Sequence, residues 1–288
     1  MALPLVLALA LSSTPVVASP APAPADTGVP AYAIHGVRYA TIRGFPVRGL
    51  IPSAPEGERI DIAMAVWVVR GGGRTVLFDT GFHRPPWRER FAVADYLRPD
   101  SAIMLAGVQP GDVTDIVVSH AHWDHMGGLD LFPDATIWIQ EDEYRYYTAD
   151  AWREGGRSGG IDPADVLELV RRHTAGQVRL VSGDDVEILP GLRVFTGARH
   201  TYASQYLLVE GGPPVVLASD NAYLWRNLEE GVAGATFDPA DAGGNRAALA
   251  RMLALAGTPE RVVPGHDPAQ FRRFPGGGRV VTVREGPP

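Results

Sequence analysis

Cysteine is absent from the 288-residue chain, and so is lysine, since all 26 cationic side chains are arginine. Without cysteine no disulfide can staple the fold and no thiolate can ligate a metal. Any metal centre must therefore be built from histidine and carboxylate. The arginines are outnumbered by 33 acidic residues, giving a formal net charge of −7. They form no basic run or stripe, so nucleic acid is not an expected partner. Beyond residue 11 no segment is long and apolar enough to span a bilayer, and no repeat at a solenoid period is present. What remains is an ordinary globular composition, 45% hydrophobic and 20% charged. The length suits one large layered α/β domain.

The first 25 residues differ from the rest. Residues 3–11 are apolar apart from Pro4, too short a run for a membrane span but suited to the core of a signal peptide. Small residues offer cleavage after Ala18 or after Ala25, although no arginine precedes the apolar run. The expectation is a signal peptide over 1–25 and a periplasmic or secreted protein; the alternative is a disordered Ala/Pro tail. Residues 26–34 read as a linker in a stretch rich in proline, and 35–288 as the folded catalytic domain.

Short β-branched runs at 37–42, 60–69, 75–78, 115–118 and 136–139 read as strands, with Gly71, Gly72 and Gly73 as a hairpin turn. Residues 141–148 read as a helix. So do 163–173, where Asp162 can cap, Pro163 suits the first turn, and Val166, Leu169 and Val170 share a face. The second half repeats the style, with strands at 186–189, 193–196, 206–209 and 215–218, a helix at 245–256 and a last strand at 261–263. Two halves of strands followed by helix suggest two packed sheets with helices outside. Residues 84–106, rich in aromatics, and the glycine cluster 155–160 read as mobile or pocket-forming.

The chemistry concentrates in Ser119-His120-Ala121-His122-Trp123-Asp124-His125-Met126-Gly127-Gly128. In extended or loop backbone, residues two apart point the same way. His120 and His122 can then approach one cation, while Asp124 and His125, past the turn, reach another. Imidazole with carboxylate suits zinc and similar divalent ions. Two ions need more ligands. His200, Asp220 and His266 each stand where an expected strand meets a loop, a rigid place for site residues.

This pattern of H-x-H-x-D-H, then His, Asp and His at strand ends, resembles the metallo-β-lactamase superfamily, and Phe78-Asp79-Thr80-Gly81 is similar to its upstream D-T-G element. The resemblance implies a four-layer αββα sandwich. It implies two divalent metal ions, zinc foremost with Mn, Fe or Co as alternatives. His120, His122 and His200 would hold the first, Asp124, His125 and His266 the second, and Asp220 would bridge them. Asp79 would orient a ligand histidine, unless it is only a turn residue before Gly81. The implied chemistry is hydrolysis by a hydroxide shared between the ions, with Asp124 also carrying a proton.

Tyr223, three residues after Asp220, is similar to a tyrosine of the N-acyl-homoserine lactonases that reaches the substrate carbonyl. The alternative is a packing tyrosine. A lactone or related ester, a small molecule, is thus the expected substrate. Other readings are a β-lactamase or thioesterase of the same fold, or a metal-binding scaffold without turnover. Lactamases with a cysteine ligand are excluded by composition. His122 argues against flavo-di-iron proteins, which normally carry Glu there. Tyr202 and Ala203 depart from the Pro and Gly frequent after the ligand histidine. Trp87, Phe91 and Tyr96 either line an apolar pocket or cover the sheet.

Overall fold

The structure, a computed structural model, describes residues 28–286. The stretch read as a signal peptide, 1–25, lies outside the described residues. The linker expectation needs correction at its end, because strand β1 (Ala33–Pro46) starts two residues before 35. The reason is alternation: Tyr32 and Ile34 are both buried, and Tyr32 Oη donates to Pro190 O at 2.7 Å.

Along the chain follow β2 (Arg59–Gly71), β3 (Arg74–Phe78), β4 (Val93–Ala94), β5 (Asp115–Val117), β6 (Thr136–Gln140) and β7 (Val178–Val181). Then come β8 (Val186–Leu189), β9 (Leu192–Thr196), β10 (Gln205–Val209), β11 (Val215–Ser219) and β12 (Val262–Pro264), with β13 (Gly276–Gly277) and β14 (Val280–Arg284) last. The first sheet has the order β13-β14-β1-β2-β3-β5-β6-β7, with β4 on β1; the second is β12-β11-β10-β9-β8. The C-terminal pair β13–β14 thus returns to the sheet that opens the chain. Helices are α1 (Pro85–Arg90), α2 (Pro99–Ile103), α3 (Trp123–Met126), α4 (Glu141–Thr148), α5 (Pro163–Thr174), α6 (Trp225–Glu229), α7 (Ala242–Ala256) and α8 (Gln270–Arg273). Asp162 caps α5 by accepting from Ala164 N–H, as its position implied.

Three apolar clusters mark the three interfaces of an αββα sandwich. One packs Val66, Val68 and Ile116 against Val166 and Leu169 of α5. The middle one joins the sheets, with Val69, Phe78 and Val117 facing Val194, Leu207 and Leu217. The third packs Tyr206, Leu208 and Val216 against Leu249 and Met252 of α7. Central strands buried on both faces read as continuous apolar runs, which is why β10 and β11 are buried throughout.

β3 and β5 run parallel, as do β11 and β12, and β9 shares the direction of β11 because both are antiparallel to β10. Ser119 O, just past β5, accepts from Gln205 N–H at 2.8 Å where β10 begins, so both sheets meet at the edge where these strands end.

Candidate metal centre

Five strand ends deliver the site. Asp79 follows β3, the 119–128 segment follows β5, His200 lies beyond β9, Asp220 follows β11 and His266 lies just past β12. Turning the backbone sharply there requires unusual dihedrals. Asp79, Arg199 and Ser219 have φ of 63°, 53° and 48°, three of the five non-glycine residues with positive φ among those described. Such strain persists where surrounding contacts fix it, often at functional sites. Gly265 is required for another reason: a Cβ there would stand 2.7 Å from Asp220 Oδ1. Gly127 is likewise needed for close approach, since a Cβ would collide with Trp123 O.

The structure brings all seven expected ligand residues together in two groups. His120, His122, His200 and Asp220 form one, and Asp124, His125 and His266 the other; within each group the ligand atoms lie within 4.8 Å of one another. His122 Nδ1 lies 3.0 Å from both His120 Nε2 and His200 Nε2. His125 Nε2 and His266 Nε2 lie 3.5 and 3.6 Å from Asp124 Oδ2. Asp220 faces both groups. Its Oδ2 is 3.4 Å from His200 Nε2, and its Oδ1 is 3.0 Å from His266 Nε2 and 3.4 Å from His125 Nε2. His83 pairs with Asp130 and His173 packs edge-on to Tyr144, so neither joins the cluster.

Four imidazoles turn one nitrogen inward and anchor the other. His125 Nδ1 lies 2.8 Å from Asp79 Oδ2. His120 Nδ1 lies 2.9 Å from Ser119 Oγ, which donates to the same carboxylate oxygen, while Ser119 N–H donates to Asp79 Oδ1. Asp79 therefore orients one ligand histidine directly and another through Ser119. His200 Nδ1 sits 3.1 Å from Ala235 O, and His266 Nδ1 sits 3.0 Å from Ala63 O on β2. Anchoring of this kind fixes tautomer and ring direction in metal ligands. Ser119 and Ser219 each directly precede a ligand, a signal the sequence carried; the backbone carbonyls of Ala63 and Ala235 leave no such signal.

The residues fit divalent ions on two further observations. Although Asp220 Oδ1 lies near two imidazole nitrogens, buried His125 Nε2 and Asp220 Oδ1 make no hydrogen bond of acceptable geometry among the described residues, an expensive arrangement that a cation would relieve. Burial, followed by the neighbouring imidazoles, also holds His120 and His122 well below the usual histidine range, in the neutral form a ligand needs. At His125 and His266, by contrast, burial is outweighed by the Asp220 and Asp124 carboxylates, which hold both rings above that range.

A cavity of about 360 Å³ opens at His122, His200 and Tyr223, walled by Tyr147, Arg157 and Phe237. Gly159, from the glycine cluster 155–160, also lines it. A second cavity of about 430 Å³ shares Ala235 and Thr236 with the first and is walled by Pro52, Val232, Ala233 and Pro239. Tyr223 is buried, with Oη 2.9 Å from His200 Nδ1. Trp87 and Phe91 lie flat against Trp123 at 4.8 and 5.1 Å, and Tyr96 Oη donates to Phe82 O. Trp87 and Phe91 thus cover Trp123 of the 119–128 segment, Tyr96 packs on Phe82, and none of the three lines the site cavity.

Residues 64–266 match the metallo-beta-lactamase superfamily. The chain belongs to this superfamily. Metallo-beta-lactamase domain-containing protein 1 of Mus musculus is 40% identical over 95 residues, 33% of this chain and 30% of that protein. An N-acyl homoserine lactonase of Bacillus thuringiensis is 30% identical over 135 residues, 46% of this chain and 48% of that enzyme. The chain thus spans less than half the length of these two relatives. A solved quorum-quenching N-acyl homoserine lactone lactonase aligns with a TM-score of 0.67 at 21% identity, covering 85% of this chain and 96% of the other. At that identity the likeness is one of fold, and it agrees with the αββα layering of this metallo-beta-lactamase domain.

Proposed function

We propose that this chain is a metal-dependent hydrolase that opens a lactone or related ester, with N-acyl-homoserine lactone-like molecules within the substrate class. The observation that carries the reading is the pair of donor sets that Asp220 faces with its two oxygens, the first of them opening through His122 and His200 onto a cavity. Two divalent ions, zinc or else Mn, Fe or Co, held by His120, His122, His200, Asp124, His125, His266 and the shared Asp220, would supply Lewis acidity and an activated water.

The protein's own groups do the rest. When His200 Nδ1–H donates to Tyr223 Oη or Ala235 O, the phenol proton is free to point into the cavity and donate to a substrate carbonyl oxygen as it gains charge. Asp124, more exposed than Asp220, would carry a proton to the leaving oxygen. The adjoining cavity, walled by Val232, Ala233 and two prolines, suits an apolar substituent.

Elemental mass spectrometry followed by a panel of lactones, β-lactams and thioesters on the loaded protein tests the reading. Near two ions per chain and turnover of lactones are expected. Turnover only of a β-lactam or a thioester would replace the substrate class, bound metal without any turnover would leave a scaffold, and activity undiminished in strong chelator would end the metal reading. We also propose that residues 1–25 direct export. The native protein should then start near Ser19 or Asp26; an intact Met1 on protein from the cytoplasm would overturn this.

A further inference from the structure

Glu143 is the third residue of α4 and is 1% exposed. Burial pushes its carboxyl up to about 7, while its hydrogen-bond donors pull the other way. A carboxylate buried without a cation is costly unless donors satisfy it, and here three do. Ala121 N–H and the Thr201 hydroxyl donate to Oε1 at 2.9 and 2.7 Å, and Ala203 N–H donates to Oε2 at 2.6 Å.

Those donors occupy two segments only. Ala121 stands between His120 and His122, beyond the end of β5 in the first sheet. Thr201 directly follows His200, between β9 and β10 of the second sheet. One carboxylate therefore clasps the two segments that present three imidazoles to one another, His122 Nδ1 being 3.0 Å from the inward nitrogens of both partners. The sheets are joined nearby without it. Gln205 donates from its backbone to Ser119 O at 2.8 Å and from its side chain to Val118 O at 2.7 Å. Glu143 is thus not needed simply to hold the layers together at this edge.

We infer that Glu143 is a positioning residue for the metal centre, fixing the spacing between the His120–His122 segment and the His200 segment and so setting how tightly that donor set holds its ion. The inference rests on the metallohydrolase reading and assigns Glu143 no contact with substrate.

Glu143→Gln keeps the shape but cannot satisfy both sides, because the amide nitrogen must face either Ala203 N–H or the Ala121 and Thr201 donors. Three readouts are compared with wild type: zinc affinity by chelator competition, visible absorption after cobalt loading, and apoprotein Tm. Arg172→Met serves as control. It breaks a comparably buried set of hydrogen bonds, to the Leu129, Phe132 and Ala135 carbonyls, none of them on a candidate ligand or on a group that anchors one. Glu143→Gln should bind one ion roughly 10- to 100-fold more weakly and shift the cobalt spectrum. The control should lower Tm and leave both metal readouts unchanged. Wild-type affinity and spectrum in Glu143→Gln would overturn the inference while leaving the metal reading intact, and so would equal weakening in the control. A wild-type protein that binds no zinc would end the metal reading and this inference together. Should Glu143→Gln fail to fold, Thr201→Val removes one donor at nearly constant shape. A several-fold loss of zinc affinity is expected there, and unchanged affinity would overturn the inference.

Discussion

The candidate ligands of the first half, His120, His122, Asp124 and His125, come from one segment, the turn after β5 and the short α3, whereas those of the second half, His200, Asp220 and His266, come from the ends of three strands. Their anchoring differs too. His120 and His125 are steadied by the side chains of Ser119 and Asp79, while His200 and His266 lean on the backbone carbonyls of Ala235 and Ala63. The first arrangement is made by side chains and is chemically exposed to mutation. The second is carried by the path of the chain, and side-chain substitution leaves a carbonyl in place. The difference teaches that replacing one supporting side chain can free a ring of the first half, whereas His200 and His266 each keep a carbonyl partner whatever side chain stands at 235 or 63.

Asp220→Ala attacks the joint between the halves, since each of its carboxylate oxygens faces a different donor group. Turnover should fall by about a thousandfold or more, several kcal/mol of barrier, with measurable loss of metal. Full occupancy and activity would show that the halves work independently. Tyr223→Phe removes one hydroxyl from the second-half wall and leaves Ala235 O for His200. Lactone kcat/KM should drop by roughly ten- to a thousandfold with metal content unchanged; unaltered kinetics would make Tyr223 a packing residue.

Asp79→Ala against Ala235→Gly tests the anchoring contrast directly. The first removes the support shared by His125 and His120 and should weaken metal binding roughly 10- to 100-fold. The second retains its carbonyl and should scarcely change it. Equal effects in chelator competition would erase the distinction. Asp162→Ala lies outside the ligand network. It removes the N-cap of α5 and the acceptor for Trp87 Nε1, which lies 2.7 Å away. A cost of about 1 kcal/mol is expected, lowering Tm by roughly 2–4 °C without altering metal content.

Legibility in the sequence follows the same divide. The long strands, α5 with its cap, and α4 read correctly because alternation, capping and helical spacing are local signals. β7 escaped: Val178–Val181 is short, carries Arg179, and earns its place by pairing parallel with β6. The pair β13–β14 escaped because its partner, β1, lies at the other end of the chain. The aromatics of residues 84–106 left two readings open. The structure turned Trp87 and Phe91 onto Trp123, a contact that no spacing announces.

By itself the sequence determined the donors. The absence of cysteine left imidazole and carboxylate, and the spacing of His120, His122, Asp124 and His125 ties them to one turn, because backbone geometry limits how far such neighbours can diverge. It also marked His200, Asp220 and His266, each as a single residue near the end of a buried strand. Only the tertiary structure decided that Asp220 faces both groups, that Asp79 and Glu143 serve ligands distant in the chain, and which carbonyls steady His200 and His266. The reason is physical. Apolar burial between the sheets is non-directional, so it fixes that the layers pack. Which polar groups then meet at their shared edge depends on register and strand ends, set by hydrogen bonds between residues far apart in the chain.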